Sequence, residues 1–138
     1  MIKINLQNLQ KKVPIKTKKI ESFLKDLLKK EEIHNADLSI VFVSPQKMCA
    51  LNIKFLNHHY TTDVLSFCYQ ERPHLMGEII VSPNEAIKYC RQHGGEVEKE
   101  ILYYVVHGFL HLLGYDDHSL KDIKRMRKKE QEVLRLNE

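Results

Sequence analysis

The pattern of apolar residues along this 138-residue chain predicts a single α+β domain (α/β layered) spanning residues 1–138. One mixed sheet of about four strands is expected, covered by about five helices. Three observations lead there. Short alternating or β-branched runs trade places with helically periodic stretches in the order β-α-β-α-β-β-α-α-α. Two Ser-Pro steps, Ser44-Pro45 and Ser82-Pro83, stand where strands hand over to helices. No internal repeat, low-complexity tract or linker interrupts the chain, and its length suffices to bury a core without disulfides.

Taken in order, residues 2–5 (IKIN) read as a short strand, followed by a loop ending at Pro14. From Lys16 to about Lys30, Ile20, Phe23, Leu24, Leu27 and Leu28 recur at helical spacing, with lysines on the opposite face. Residues 36–44 alternate through Leu38, Ile40 and Phe42 as a half-buried strand does. Ser44 then serves as N-cap and Pro45 as first residue of a helix running to about residue 57. Strands are expected at 63–67 and 77–82, separated by an irregular loop containing Pro73. Ser82, Pro83 and Glu85 repeat the helix start as a capping box, and that helix should end near His93 to Gly95. A helix from about Val97 reaches Leu113, where Gly114 supplies the left-handed stop. The charged periodic tail from Ser119 to about 136 makes the last helix.

With 43% hydrophobic and 29% charged residues, the composition is that of an ordinary globular protein rather than a disordered one. Cys49, Cys68 and Cys90 are odd in number and form no C-x-x-C pair, which argues against a disulfide framework or a cysteine-built zinc site and suits a reducing cytosol. The N-terminus lacks a secretory signal pattern, and the longest apolar run, ILYYVVHGFLHLLG, is too short to span a bilayer. A cytoplasmic protein with no membrane partner is expected. The net charge of +4 conceals an asymmetry: residues 1–30 carry +7, residues 31–118 carry −6 and residues 119–138 carry +3. Basic ends permit a nucleic-acid partner, though solvated helix faces would look the same.

The stretch HGFLHLLGYDDH, residues 107–118, puts three histidines into an otherwise apolar run. Each imidazole has two ring nitrogens that need partners once water is excluded. His107 and His111, four apart on a helix, present their rings to the same face and can reach one ion. After Gly114 the four-residue path to His118 spans up to about 13 Å, enough to fold back and offer a third ligand. Three protein ligands plus a water is the pattern of catalytic zinc. Asp116 and Asp117 can orient an imidazole or supply an oxygen ligand. The competing account makes His107 and His111 core residues bonded to backbone or to Glu100. A peptidase is disfavoured, because H-E-x-x-H needs a glutamate where Gly108 stands.

HGFLHLLGYDDH resembles the signature H-G-x-L-H-L-x-G-Y-D-H of the YbeY family of bacterial ribosomal RNA maturation factors, described as metal-dependent endoribonucleases. TDVLSF (62–67) and GEIIVSPNEA (77–86) resemble two further segments of that family, so the likeness covers nearly the whole chain. It implies one Zn²⁺ held by three histidines plus water, a role in forming the 3′ end of small-subunit ribosomal RNA, and ribosome quality control. RNA and the ribosome or ribosomal proteins are the implied partners. His107 and His111 match the first two ligands. The third is offset: strict register places Asp117 there, and His118 one residue later. His118 is the expected ligand, because a loop absorbs one extra residue cheaply, with Asp117 as the alternative. The family's arginine upstream of the central strand is replaced by Leu56, for which His58, His59 or Lys54 are candidate substitutes. Asp116 or Asp117 is the expected proton acceptor, and Ser66 a candidate hydrogen-bond donor into the site. The main rival is a ribosome-associated binding factor with a structural metal and little nuclease activity.

Overall fold

The computed structural model describes residues 1–56 and 62–135. The elements follow the expected order: β1 (Ile2–Asn8), α1 (Thr17–Lys30), β2 (Asn35–Phe42), α2 (Pro45–Leu56), β3 (Val64–Gln70), β4 (His74–Val81), α3 (Pro83–His93), α4 (Val97–Leu112) and α5 (Leu120–Leu134). Among the described residues they build one mixed four-stranded sheet in the order β1-β2-β4-β3. β1, β2 and β4 run parallel, while β3 pairs antiparallel with β4. The fold is α+β, as the sequence predicts.

The period-two alternation of β2 explains why the sheet has two unequal faces. Ala36, Leu38, Ile40 and Phe42 point into the main core, where they meet the α1 stripe of Ile20, Phe23, Leu24, Leu27 and Leu28 and the buried face of α4. Val41 and Val43 point the other way, into a smaller cluster with Met48 of α2, Leu65 and Ile80. α4 is the hub: it lies on β3 and β4 and packs against α3 and α5. No helix among the described residues is long and apolar enough to cross a membrane.

Differences from the sequence reading lie at element ends. β1 extends to Asn8 because its polar end pairs in register with Phe42 of β2. The expected irregular loop around Pro73 contracts to residues 71–73, since Cys68 and Gln70 pair with Gly77 and Met76 across a hairpin with one register shift. Ser44 caps α2 as expected, its hydroxyl accepting from the Lys47 N–H at 3.2 Å. Ser82 does not: its hydroxyl is buried without a partner among the described residues. The Glu85 N–H bonds the Ser82 backbone carbonyl instead. Pro83 at the first position already dispenses with one N–H, which removes one demand on a cap.

Candidate metal centre

α4 ends as the glycine predicts. Gly114 adopts φ +96, its N–H bonds the His111 carbonyl, and the Tyr115 N–H bonds the Leu110 carbonyl. This is a Schellman closure, which reverses the chain at once and sends residues 115–118 back beside the last turn of the helix. The height of α4 above the sheet is set at Gly108, where a Cβ would lie 2.7 Å from Ile79 Cγ2 and 3.0 Å from Ser66 Oγ. Ser66 Oγ donates to the Gly108 carbonyl at 2.9 Å, clamping helix to strand. Position 108 thus faces the sheet with no room for a side chain, while His107 and His111 turn toward α5 and the returning loop.

The two imidazoles stand nearly perpendicular, with planes at 81°, and their Nε2 atoms lie 3.2 Å apart. Two nitrogens bound at about 2.0–2.1 Å to one tetrahedral ion are separated by about 3.3–3.4 Å, so the spacing suits a shared ion. The remaining ring nitrogens are also provided for. His107 Nδ1 donates to Glu130 Oε2 at 2.5 Å, and His111 bonds the Tyr115 backbone. Glu130, only 3% exposed, accepts a second bond from Tyr103 Oη at 3.2 Å. A carboxylate behind a histidine fixes its tautomer and raises its basicity, as in metal sites generally.

The electrostatics separate the two rings. Burial works to lower the His107 pKa, but the hydrogen bond and charge of Glu130, with Asp63 and Asp117, carry it above the ordinary value. Burial and the neighbouring His107 push His111 below it. Burial and Glu130 hold the Tyr103 phenol well above its usual range, so it stays a donor.

The loop brings a carboxylate beside the two rings. Asp117 joins His107 and His111 in a group whose ligand atoms all lie within 4.8 Å of one another. His118, the ligand favoured in the sequence reading, lies outside that group in this structure. Its ring is 83% exposed and pairs through Nε2 with Asp116 Oδ1 at 3.1 Å. Asp116 Oδ1 also accepts the Asp117 N–H at 2.7 Å, a local tie within the returning loop. Imidazole and carboxylate donors are both ordinary zinc ligands, and this set fits a divalent transition ion.

Ser66 spends its hydroxyl on the helix, as described. Glu100, considered as the partner of His107, bonds Tyr104 instead; Glu130 takes that place. Leu56 closes α2 at the surface, and Lys54 lies over the Phe55 ring. His58 and His59 fall outside the described residues. Glu130 and Tyr103 were not found by sequence reasoning. Tyr103 was accessible to it, since it continues the His107–His111 stripe one turn back.

Fold and donor set define a class: a single-sheet α+β protein whose central helix carries an H-x-x-x-H pair completed by a returning acidic loop. A family model described as "Endoribonuclease YbeY" matches residues 5–137, and the chain belongs to that family. Proteins named Endoribonuclease YbeY are similar to it along most of their length. That of Thermodesulfovibrio yellowstonii is 38% identical, covering 90% of this chain and 86% of the relative. That of Pelotomaculum thermopropionicum is 36% identical, covering 96% and 95%. The solution structure of a Thermotoga maritima protein superposes with a TM-score of 0.64 at 30% identity, covering 94% of this chain and 88% of that one.

Proposed function

We propose that this protein is a metal-dependent endoribonuclease that cuts single-stranded RNA in the 3′-end maturation of small-subunit ribosomal RNA and in ribosome quality control, in the cytoplasm. The observation that carries the reading is the convergence of His107, His111 and Asp117, backed by the buried Glu130. The relatives' shared name supports the class of reaction.

In this reading one Zn²⁺ is held by His107, His111 and a third donor from the Asp117–His118 step of the loop. Asp117 is the loop residue clustered with the two rings, which supports it as that donor, and a one-residue bulge of the loop would exchange it for His118. A bound divalent ion supplies Lewis acidity toward a phosphodiester and lowers the pKa of coordinated water. The chain's own groups do the rest. Glu130 and the Tyr115 backbone orient the two rings, and Tyr103 holds Glu130. Asp116, paired with His118 at the mouth of the site, is the proton acceptor when Asp117 is engaged as ligand. Ser66 acts by seating α4. Lysines and arginines of the basic ends hold flanking phosphates, although Lys16 and Lys19 are already paired with Glu98 and Lys129 with Glu31.

The deciding test incubates the zinc-loaded protein with a labelled single-stranded RNA carrying the small-subunit 3′ precursor sequence, beside His107→Ala and metal-stripped protein. Cleavage by wild type alone supports the reading; cleavage by all three sinks it. Leu56, aliphatic where the family carries an arginine, favours one second reading: a ribosome-associated factor whose metal is structural. It predicts RNA or ribosome binding without turnover.

A further inference from the structure

The open wall of the metal centre carries one particular cation of the basic C-terminal segment, Arg127, at the site itself rather than along its flanks. A recess of about 250 Å³ is lined by His107 and Asp117 on one side and by Ile123, Met126 and Arg127 of α5 on the other. Arg127 and Glu130 are three residues apart on one helix and so share a face. That face turns both toward α4: Glu130 to the back of His107, Arg127 to the mouth.

The charge balance of the site says what the mouth requires. Asp117 in the donor set and Glu130 behind it together offset the two positive charges of a divalent ion, and Asp116 stands alongside. The centre so built has no surplus positive charge to draw in an anionic phosphodiester, and more negative charge develops as a phosphoryl group is attacked. Arg127 is exposed, and no carboxylate among the described residues lies within ion-pair distance of it. Glu130 is already bonded by His107 and Tyr103. Lys129, two residues on, is committed to Glu31 at 2.6 Å. A planar guanidinium presents paired donors that match two phosphate oxygens.

We infer that Arg127 is the phosphate-binding residue of this site, its guanidinium gripping the RNA phosphodiester that enters the recess between α5 and the Asp117 loop. The inference rests on the nuclease reading for the identity of its ligand.

The test compares zinc-loaded wild type, Arg127→Ala, Arg127→Lys and Arg91→Ala. The last removes another exposed arginine, on α3 and outside the recess. Three quantities are read: zinc per chain, cleavage of single-stranded RNA, and anisotropy of a fluorescein-labelled 2′-O-methyl RNA dodecamer across a salt series. Arg127→Ala is expected to keep its zinc, to lose about 10²-fold or more in cleavage, and to flatten the log–log salt slope of binding by about 0.7, one single-strand phosphate contact. Arg127→Lys should recover part of both, having charge without the fork. Arg127→Ala behaving like Arg91→Ala in cleavage and binding would overturn the inference while leaving the nuclease reading intact. If wild type binds RNA without cutting it, the nuclease reading fails, and the salt slopes alone decide for or against Arg127.

Discussion

The Nδ1 atom of His107 and the carboxylate of Glu130, 23 residues apart in sequence, lie 2.5 Å apart in the core of the site. The pair links α4, which carries the two histidines, to α5, so the shape of the centre depends on α5 being docked. It also sets the basicity of the ring whose other nitrogen faces His111.

Glu130→Gln should therefore change His107 before it changes the fold. With the carboxylate's charge removed, burial is opposed only by Asp63 and Asp117, and the His107 pKa in metal-free protein should drop. Zinc affinity should fall about 10–100-fold, the usual cost of losing the group behind a ligand histidine. NMR titration of the ring protons, with metal competition beside it, reads both. An unmoved titration would show that the contact does not tune the ring.

Metal binding should depend on pH in two stages. Ligand imidazoles bind only when deprotonated at the ligating nitrogen. Glu130 holds His107 above the ordinary histidine value against its burial, while burial and the neighbouring His107 hold His111 below it. As pH falls through the His107 value, apparent affinity should decline about tenfold per pH unit, then more steeply once His111 also takes up a proton. Competition with a chromophoric chelator from pH 8 to about 5 measures this. A flat profile through that range would contradict the assignment of these rings as ligands.

The loop donor is settled by two substitutions. Asp117→Ala is expected to lose most bound zinc, whereas His118→Ala keeps it, because Asp117 stands within the donor cluster and His118 pairs with Asp116 outside it. Metal content after dialysis is the measurement. The reverse result would mean that the loop bulges by one residue on loading.

Ser66 and Gly108 should behave as packing residues. Ser66→Ala removes the bond to the Gly108 carbonyl and should cost about 0.5–1.5 kcal/mol of stability, with cleavage changed only a few-fold. Gly108→Ala places a methyl 2.7 Å from Ile79 Cγ2 and should cost about 1–3 kcal/mol. Chemical denaturation reads both, and a Ser66→Ala protein that is stable yet inactive would make the serine a participant in the chemistry.

The parts of this protein legible from its sequence are those governed by local rules. The α1 stripe from Ile20 to Leu28 obeys helical periodicity, and all five of its apolar residues are buried. Gly114 ends α4 because the left-handed conformation there suits glycine, and the turn is closed by neighbours in sequence. His107 and His111 share a face for the same reason: four residues is close to one helical turn. Each of these needs only what a dozen adjacent residues can specify.

Ser82 shows where local rules stop, since its capping pattern is intact while its hydroxyl is buried unused. Glu130 shows it more sharply. Nothing in KKEQEVL marks that glutamate as the group behind a histidine rather than a solvated charge, and Glu100, nearer in sequence, was the readier candidate. Which carboxylate reaches His107, and whether Asp117 or His118 turns inward, depend on how α5 docks against α4 and how the loop after Gly114 is tied. The sequence by itself determined the helix, its histidine pair and its stop. Only tertiary packing, which buries one particular charge and must give it a partner, decided what stands behind and opposite them.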